Sequence, residues 1–524
     1  MTATAGPSHS TGKMSLRDWI AVWGSLLGAF MAVLDIQITN ASLKDIQGGI
    51  AASLDEGTWI STSYLVAEII VIPLTGYLGG VFGIRRYLMI NAALFVSFSL
   101  LCGTATSLGE MVLFRAGQGF TGGVMIPMAF NILNTKLPPA KQAMGMAMFG
   151  LTATLAPAIG PTIGGLITDS YGWRYIFYLN LLPGLLMLAM IGLGLDGEPT
   201  HLERLKNGDW LGMLCMALGL GSLEIVLEEG ERHDWFGSPM IFDLAVIAAV
   251  FTTLFLCIEF TRKEPFINLR LLARRSFGSS CLVGLSLGFA LFGSVYVIPV
   301  YLAQVQHYDS YQIGHVIMWM GLPQLFIFPI TGILMQRFDG RWLLAFGLIV
   351  FAASNFMCVD MSSDTAEPQL RWSMLVRALG QPFVIVPIAR MATAGIEREN
   401  TAAASSLFNI MRNLGGSIGI ALLQTFTTWR EHFHFDSISQ RVSQNNALLQ
   451  DRIHAMVQQV LPTAGDMAHA TAMTLARLQG LVRRDAFVMA YSDCFYVIGA
   501  ILLLSLVALL FMRKPQGGTV LAGH

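Results

Sequence analysis

Asp35, Glu68, Arg115 and Glu224 each interrupt a stretch of chain that is otherwise apolar. An ionisable side chain deep in hydrocarbon costs about 2.5–3.5 kcal/mol on insertion scales, so it needs a partner or a task. Desolvation favours the neutral form of a carboxyl, whereas a nearby guanidinium favours the ionised form. A carboxyl that alternates between those surroundings takes up and releases a proton. Asp35 and Arg115 are candidates for that work; a static structural ion pair between them is the competing reading. Glu68 offers a second proton or cation site, or a satisfied carboxyl facing a cavity or a neighbouring helix. Glu224 is the fourth proton-coupling candidate, although it is expected on a helix remote from any central site.

Uncharged polar and aromatic residues in the same apolar runs are candidates to touch a ligand: Tyr64, Gln118, Tyr296, Tyr301, Gln304, Gln324, Gln381 and Asn409. Aromatics in such runs more often pack against neighbours or lipid. Arg412 and Asn409 are read first as packing residues. Pro157, Gly160, Pro161, Gly164 and Gly165 crowd one helix with residues that remove amide donors and expose backbone for close approach. No nucleophile or acid–base constellation falls on adjacent turns, so an enzyme is not expected. The six cysteines (Cys102, Cys215, Cys257, Cys281, Cys358, Cys494) are widely separated in apolar runs and read as small buried residues. His432 and His434 lack further ligands, and no metal or cofactor is implied. A net charge of −1 gives no basic field for nucleic acid.

These residues must be positioned by elements that suit lipid. Of 524 residues 54% are hydrophobic and 12% charged, and mean hydropathy is +0.60. Soluble domains carry about 25% charged residues. A bilayer core of about 30 Å needs about 20 apolar residues in a helix. Runs of that kind lie near 18–43, 57–79, 86–107, 109–134, 141–168, 174–195, 208–229, 238–261, 277–304, 311–336, 341–360, 370–394, 401–429 and 485–512, fourteen predicted spans. An even count puts both termini on one side, and cationic loops mark the cytoplasm. On this topology nineteen Lys and Arg fall inside, against four in short outer loops (Lys44, Arg174, Arg232 and Arg371). The outer loops are acidic instead, as at Glu228, Glu229, Glu231 and Asp234. The polar start, with Lys13 and Arg17, precedes an apolar run too long for a signal peptide, so the first span is expected to be retained.

The segment Pro73–Arg85 aligns with Pro329–Arg341 at a constant offset of 256, with identical Pro, Thr, Gly, Leu, Phe and Arg. Eight spans separate the copies. An internal repeat of this kind means two six-helix halves with two helices inserted between them. The expected division is a tail at 1–17, a first half at 18–195, an inserted pair at 196–262 and a second half at 263–524. A weaker echo pairs Arg115 with Arg377. Residues 431–484 form the one long outer segment. Leu449, Ile453, Met456 and Val460, then Ala472, Leu475, Leu478 and Val482, follow helical spacing about Pro462 and Gly465. They predict a short amphipathic hairpin in water.

Several local patterns resemble the fourteen-helix drug:proton antiporters of the major facilitator superfamily. Arg115, Gly119, Gly122 and Gly123 look like the helix-4 arginine motif. The run from Gly150 to Gly165, with Pro157 and the Gly160–Gly165 set, is similar to the antiporter motif of helix 5. Trp173 to Gly184 follows it as in that family, and Thr401 to Gly419 resembles the family's helix 13. Leu34, Asp35 and Asn40 keep part of the first-helix signature, with Gln37, Ser42 and Lys44 departing from it. Gly80 stands where the superfamily usually has Asp, while Arg85 is retained.

The resemblance implies an all-α integral membrane protein of the major facilitator fold with fourteen transmembrane helices in a bacterial inner membrane. It implies proton-coupled efflux of lipophilic compounds, with the helix-1 acid and helix-4 arginine as the coupling pair. The subgroup it looks nearest to serves as the inner-membrane pump of tripartite systems. That implies a periplasmic adaptor on the outer segment and, through it, an outer-membrane channel. A dedicated exporter of one metabolite or siderophore is the rival of the same fold. A membrane receptor or scaffold that no longer transports is the rival of another class, and the retained Asp35 and Arg115 speak against it.

Overall fold

The computed structural model describes residues 14–53, 56–206, 208–262, 267–393, 396–397, 401–441 and 447–512, and every regular element among them is a helix. Sixteen longer helices follow in chain order: α1 (Leu16–Ala41), α2 (Trp59–Phe82), α3 (Ile84–Thr104), α4 (Leu108–Gly122), α5 (Met125–Lys136), α6 (Pro139–Tyr171), α7 (Leu181–Gly194) and α8 (Trp210–Glu229). The others are α9 (Pro239–Thr261), α10 (Arg275–Gln304), α11 (Ser310–Arg337), α12 (Gly340–Phe356), α13 (Glu367–Thr393), α14 (Thr401–Arg441), α15 (Ala447–Ala464) and α16 (Met467–Leu504). All-helical structure is what hydrocarbon demands, because a helix pairs its backbone groups within one segment.

Among the described residues eleven helices are long and apolar enough to cross a membrane. The other three predicted spans fall on the pair α4 and α5, broken at Gly123, on the 17-residue α12, and on α14. At the break, Gly122 abuts the Tyr64 hydroxyl and Phe95, and Gly123 abuts Val71 and Glu68, so α2 and α3 approach too closely for side chains at these points. Of the expected inside cations, Lys13, Lys263, Arg398, Arg513 and Lys514 lie outside the described residues. Five cysteines are buried, whereas Cys257 is exposed. On a helix whose apolar stretch is only 17% buried, that exposure faces the hydrocarbon rather than a core.

Helices assigned by sequence to different halves meet along two lines. α6 packs against α11, and α2 against α14. A Cβ at Gly314 would strike the Thr162 side chain, so α11 and α6 touch at backbone distance there. The inserted helix α8 lies against both α2 and α14, and α9 lies outside it. This corrects the expectation for Glu224: the inserted helix borders the line where α2 meets α14. Glu229 is also not a loop acid. It is 1% exposed and accepts hydrogen bonds from the Thr62 and Thr58 hydroxyls at 2.6 and 3.2 Å.

The two copies of the repeat end their turns differently. In the second, Asp339 caps α12 by accepting from the Arg341 amide at 3.1 Å. In the first, the matching position is Gly83, at φ +81°. There Glu198, from the chain after α7, accepts from the Ile84 amide at 2.9 Å. The same connector is held by Tyr77, whose hydroxyl donates to the Arg204 carbonyl at 2.7 Å. Each orphan amide at a helix start needs an acceptor, and here one comes from within the repeat and one from outside it.

The expected hairpin in 431–484 is formed by α15 and the first part of α16, but its second arm is continuous with the membrane helix. α14 continues to Arg441 and α16 begins at Met467 and runs unbroken to Leu504, with α15 folded against α16. Val457, Val460 and Ala470 form the small core there, with Ile453 and Met473 packed on it. Ala472 and Leu475, expected to face inward, are exposed, and Ala470, Met473 and Thr474 face in instead. The reason is register: continuity with the membrane part of α16 sets the rotation of the helix, not the local apolar count. α15 passes through Pro462, and the chain turns at Gly465, at φ +82°, before α16 begins. The side chain of Leu449 lies outside the described residues.

Candidate functional site

Asp35 sits about three-quarters of the way along α1 and is 3% exposed; Arg115, on α4, is fully buried. One Arg115 Nη donates to Asp35 Oδ2 at 2.5 Å and to Gln118 Oε1 at 2.7 Å. Gln118 Nε2 and Asn180 Nδ2 donate to Asp35 Oδ1 at 2.9 and 2.5 Å. Asn180 also donates to Ser99 Oγ, which donates onward to the Phe177 carbonyl. Arg115 Nε reaches the Ile60 carbonyl at 3.3 Å, and its guanidinium lies 4.4 Å from the centre of the Tyr64 ring. Gly119 lets α4 touch the α2 backbone at Tyr64, which brings that ring to the cation. Spacing explains the rest, because residues three apart share a helix face, so Arg115 and Gln118 both face α1.

The result is a buried ion pair with every carboxylate oxygen satisfied. Such a pair is favourable only if its geometry and extra hydrogen bonds offset desolvation. Protonating Asp35 removes its attraction for Arg115 and leaves three donors facing one neutral group. Protonation of Asp35 would therefore loosen the junction of α1 with α4 and with Asn180. Tyr64 and Gln118, named as ligand candidates, belong to this junction. Asn180 and Ser99 were not named as site residues, although each is a polar residue in an apolar run. That was the available signal.

A second set lies where α2, α8 and α14 meet. Glu68 is 6% and Glu224 3% exposed. Ser417 Oγ on α14 donates to Glu224 Oε1 at 2.8 Å, while Glu224 Oε2 has no partner among the described residues. Glu68 lies within electrostatic range of Arg412, Arg115 and Glu224. Arg412 Nε has no partner either.

The remaining candidates divide. Gln324 donates to Gln381 at 2.8 Å with both side chains fully buried, leaving Gln324 Oε1 and Gln381 Nε2 unpartnered. Asn409 donates to the Ser405 carbonyl of its own helix, and its Oδ1 is unpartnered. The Tyr301 hydroxyl donates to the carbonyls of Ser362 and Thr365, and Gln304 accepts from Tyr491 at 2.6 Å. Tyr301 thus ties α10 to the loop before α13, and Gln304 ties it to α16. Tyr296 is half-buried on α10. On α6, Gly160 abuts Gln37 and Gly164 abuts the Ile38 backbone of α1, Gly165 faces Ser310, and Pro157 and Pro161 lie inside the helix. The antiporter-like run thus packs beside Asp35. Arg377, the echo of Arg115, is 1% exposed and donates to Asn355 at 3.0 Å, and among the described residues it makes no ion pair. His434 contacts Asp493 at 2.7 Å. Among the described residues no three His, Cys, Asp or Glu side chains converge as a metal group.

The family model described as Major Facilitator Superfamily matches residues 25–420. The chain is 31% identical over 498 residues to the colistin resistance protein EmrB of Acinetobacter baumannii, covering 95% of this chain and 97% of that one. It is 31% identical over 501 residues to the multidrug export protein EmrB of Escherichia coli K12, covering 94% of each. It is 29% identical over 499 residues to the fatty acid resistance protein FarB of Neisseria gonorrhoeae, covering 95% and 96%. Among solved structures, that of the human organic anion transporter MFSD10 superposes with a TM-score of 0.58 at 13% identity, covering 94% of this chain and 99% of that one. At that identity the likeness concerns the fold.

Proposed function

This chain belongs to the major facilitator superfamily, and from that premise we propose that it is a proton-coupled efflux antiporter for lipophilic small molecules. It is a multi-pass membrane transporter with the major facilitator fold. The similarity to multidrug, colistin and fatty acid resistance proteins supports export of toxic lipophiles. The observation that carries the coupling is the Asp35–Arg115 pair, closed by Gln118 and Asn180. Asp35 accepts the proton, Arg115 is the cation it releases, and alternating access between halves carries the proton in and the substrate out. The fourteen-span topology, with both termini in the cytoplasm of a bacterial inner membrane, belongs to the same proposal. So does the division at 18–195, 196–262 and 263–524.

Magnitudes limit what one proton can do. One charge crossing 100 mV yields about 2.3 kcal/mol, and each tenfold of gradient costs about 1.4 kcal/mol. One proton therefore sustains a gradient of about 40-fold for a neutral substrate. A monovalent cation exchanged for one proton gains nothing from voltage. A second working carboxyl is what a monovalent cation requires in order to gain from voltage.

The reading is tested by adding substrate candidates from a panel of unrelated lipophilic toxins to purified protein in weakly buffered detergent. Binding is expected to release close to one proton per chain. Binding without release would overturn the coupling. The outer segment is proposed as the dock of a periplasmic adaptor leading to an outer-membrane channel. Deleting 437–481 is expected to abolish adaptor co-purification while leaving the membrane part folded. Unchanged recovery would reject docking.

A further inference from the structure

We propose that the inserted helices α8 and α9 are fastened to the first half at both ends of α2 and travel with it, so that they slide against the second half along the line between α8 and α14. The inference rests on the alternating-access reading and on the division at 196–262. At one end of α2 the fastener is Glu229, which closes α8 and accepts from the Thr62 and Thr58 hydroxyls at 2.6 and 3.2 Å. Glu229 is 1% exposed, so pulling α8 away there would strip a buried carboxylate of both hydroxyls, which is costly. At the other end the fastener is the connector before α8, which bonds to both sides of the turn between α2 and α3. The His201 amide donates to the Val81 carbonyl at 2.8 Å, and the Ile84 amide donates to Glu198 at 2.9 Å. The Tyr77 hydroxyl donates to the Arg204 carbonyl at 2.7 Å. The Val81 carbonyl and the Ile84 amide are helix-end groups that lack an intrahelical partner, so the connector completes both helix ends. The second copy of the repeat needs no such strap, because Asp339 caps α12 from within its own turn.

Between these ends α8 lies close on α2, since a Cβ at Gly221 would come 3.0 Å from Ile70 Cδ1. α9 is held to α8 in turn. A Cβ at Gly219 of α8 would come 2.8 Å from the Thr252 backbone nitrogen of α9. Arg262, just past α9, pairs with Asp209, whose carboxylate caps α8 by accepting from the Gly212 amide at 2.8 Å. The side facing α14 is built differently. Ser417 Oγ donates across it to Glu224 at 2.8 Å, and Trp235 Nε1 donates to Thr425 Oγ1 at 3.1 Å. Each donor has a second acceptor on its own side. For Ser417 it is the Asn413 carbonyl at 3.4 Å, and for Trp235 it is Glu231 Oε2 at 3.1 Å. Both crossing bonds can therefore break with the donor still satisfied, and the cost falls on Glu224. Exchangeable partners suit a line that must part and re-form, and stranded buried groups suit one that must not.

The experiment measures distances between pairs of spin labels on the purified full chain in lipid nanodiscs. It compares alkaline pH, acid pH and the Asp35→Asn variant. Cys257, exposed on α9, carries one label, and the other five cysteines are buried. The second label goes to Arg86→Cys at the start of α3 or to Trp342→Cys at the start of α12. These exposed positions match across the repeat at the same offset of 256. A third pair, 86 with 342 in a Cys257→Ser background, reports movement of the halves and is expected to shift between conditions. The distance from 257 to 86 is expected to stay constant while that from 257 to 342 shifts. A shift from 257 to 86 that equals or exceeds the shift from 257 to 342 would overturn the proposal. No shift between 86 and 342 under any condition would strike the alternating-access reading and this inference with it. Glu198→Ala combined with Glu229→Ala is expected to broaden the distribution from 257 to 86. An unchanged width would reject these residues as the fasteners; if the double variant does not fold, the distances in the parent decide.

Discussion

Inverted vesicles carrying Asp35→Asn are expected to accumulate no substrate above its outside concentration. Parent vesicles at 100 mV should reach a gradient of about 40-fold for a neutral substrate. The variant is nearly isosteric, so the comparison isolates the ionisable group. Three donors converge on Asp35, from Arg115, Gln118 and Asn180. An amide offers one acceptor where the carboxylate offers two, and the amides of Gln118 or Asn180 can turn to meet the new donor. Downhill movement of substrate, which needs only alternation, is expected to survive. The readouts are the accumulated gradient and the proton released on substrate binding. A variant that still builds the parent's gradient would show that the coupling proton is carried elsewhere.

Arg115→Ala should be the most destabilising single change in the first half. Removing one member of a buried ion pair costs about 3–5 kcal/mol, because the remaining charge is left without compensation. Here the loss also takes the contact with the Tyr64 ring and the bond to the Ile60 carbonyl. Arg115→Lys keeps the charge but lacks the fork. One ammonium cannot hold Asp35, Gln118 and Ile60 in the same arrangement, so it should fall between the parent and the alanine variant. Thermal unfolding in detergent orders the three proteins. The double variant Asp35→Asn with Arg115→Ala is expected to be more stable than Arg115→Ala alone, since no charge is then stranded. A midpoint for Arg115→Ala equal to the parent's would mean that the pair carries no weight in the folded protein.

Much of the site was legible because apolar surroundings make polar residues conspicuous. Asp35 and Arg115 stood out as charges in hydrocarbon, and the structure joins them directly. Asn180 did not stand out, because one amide costs far less to bury than a charge. Its role depends on α7 lying across α1, which no local pattern encodes. Glu224 was misplaced for a related reason. A helix placed between repeats has no counterpart within either repeat, so nothing in its own sequence says which seam it borders. The outer segment shows the same limit in register. Its apolar residues pointed to helices, but the rotation of α16 there is imposed by the membrane part of the same helix.

The sequence by itself determined the lipid-embedded helical architecture, the repeat and the presence of a charge pair needing compensation. These follow from the cost of polar groups in hydrocarbon, which acts residue by residue and shows in composition and spacing. Only the tertiary structure decided which polar groups meet: Asn180 with Asp35, Glu198 with the start of α3, and Ser417 with Glu224. Those meetings depend on how helices far apart in the chain cross, and crossing is set by close packing at Gly119, Gly164 and Gly314.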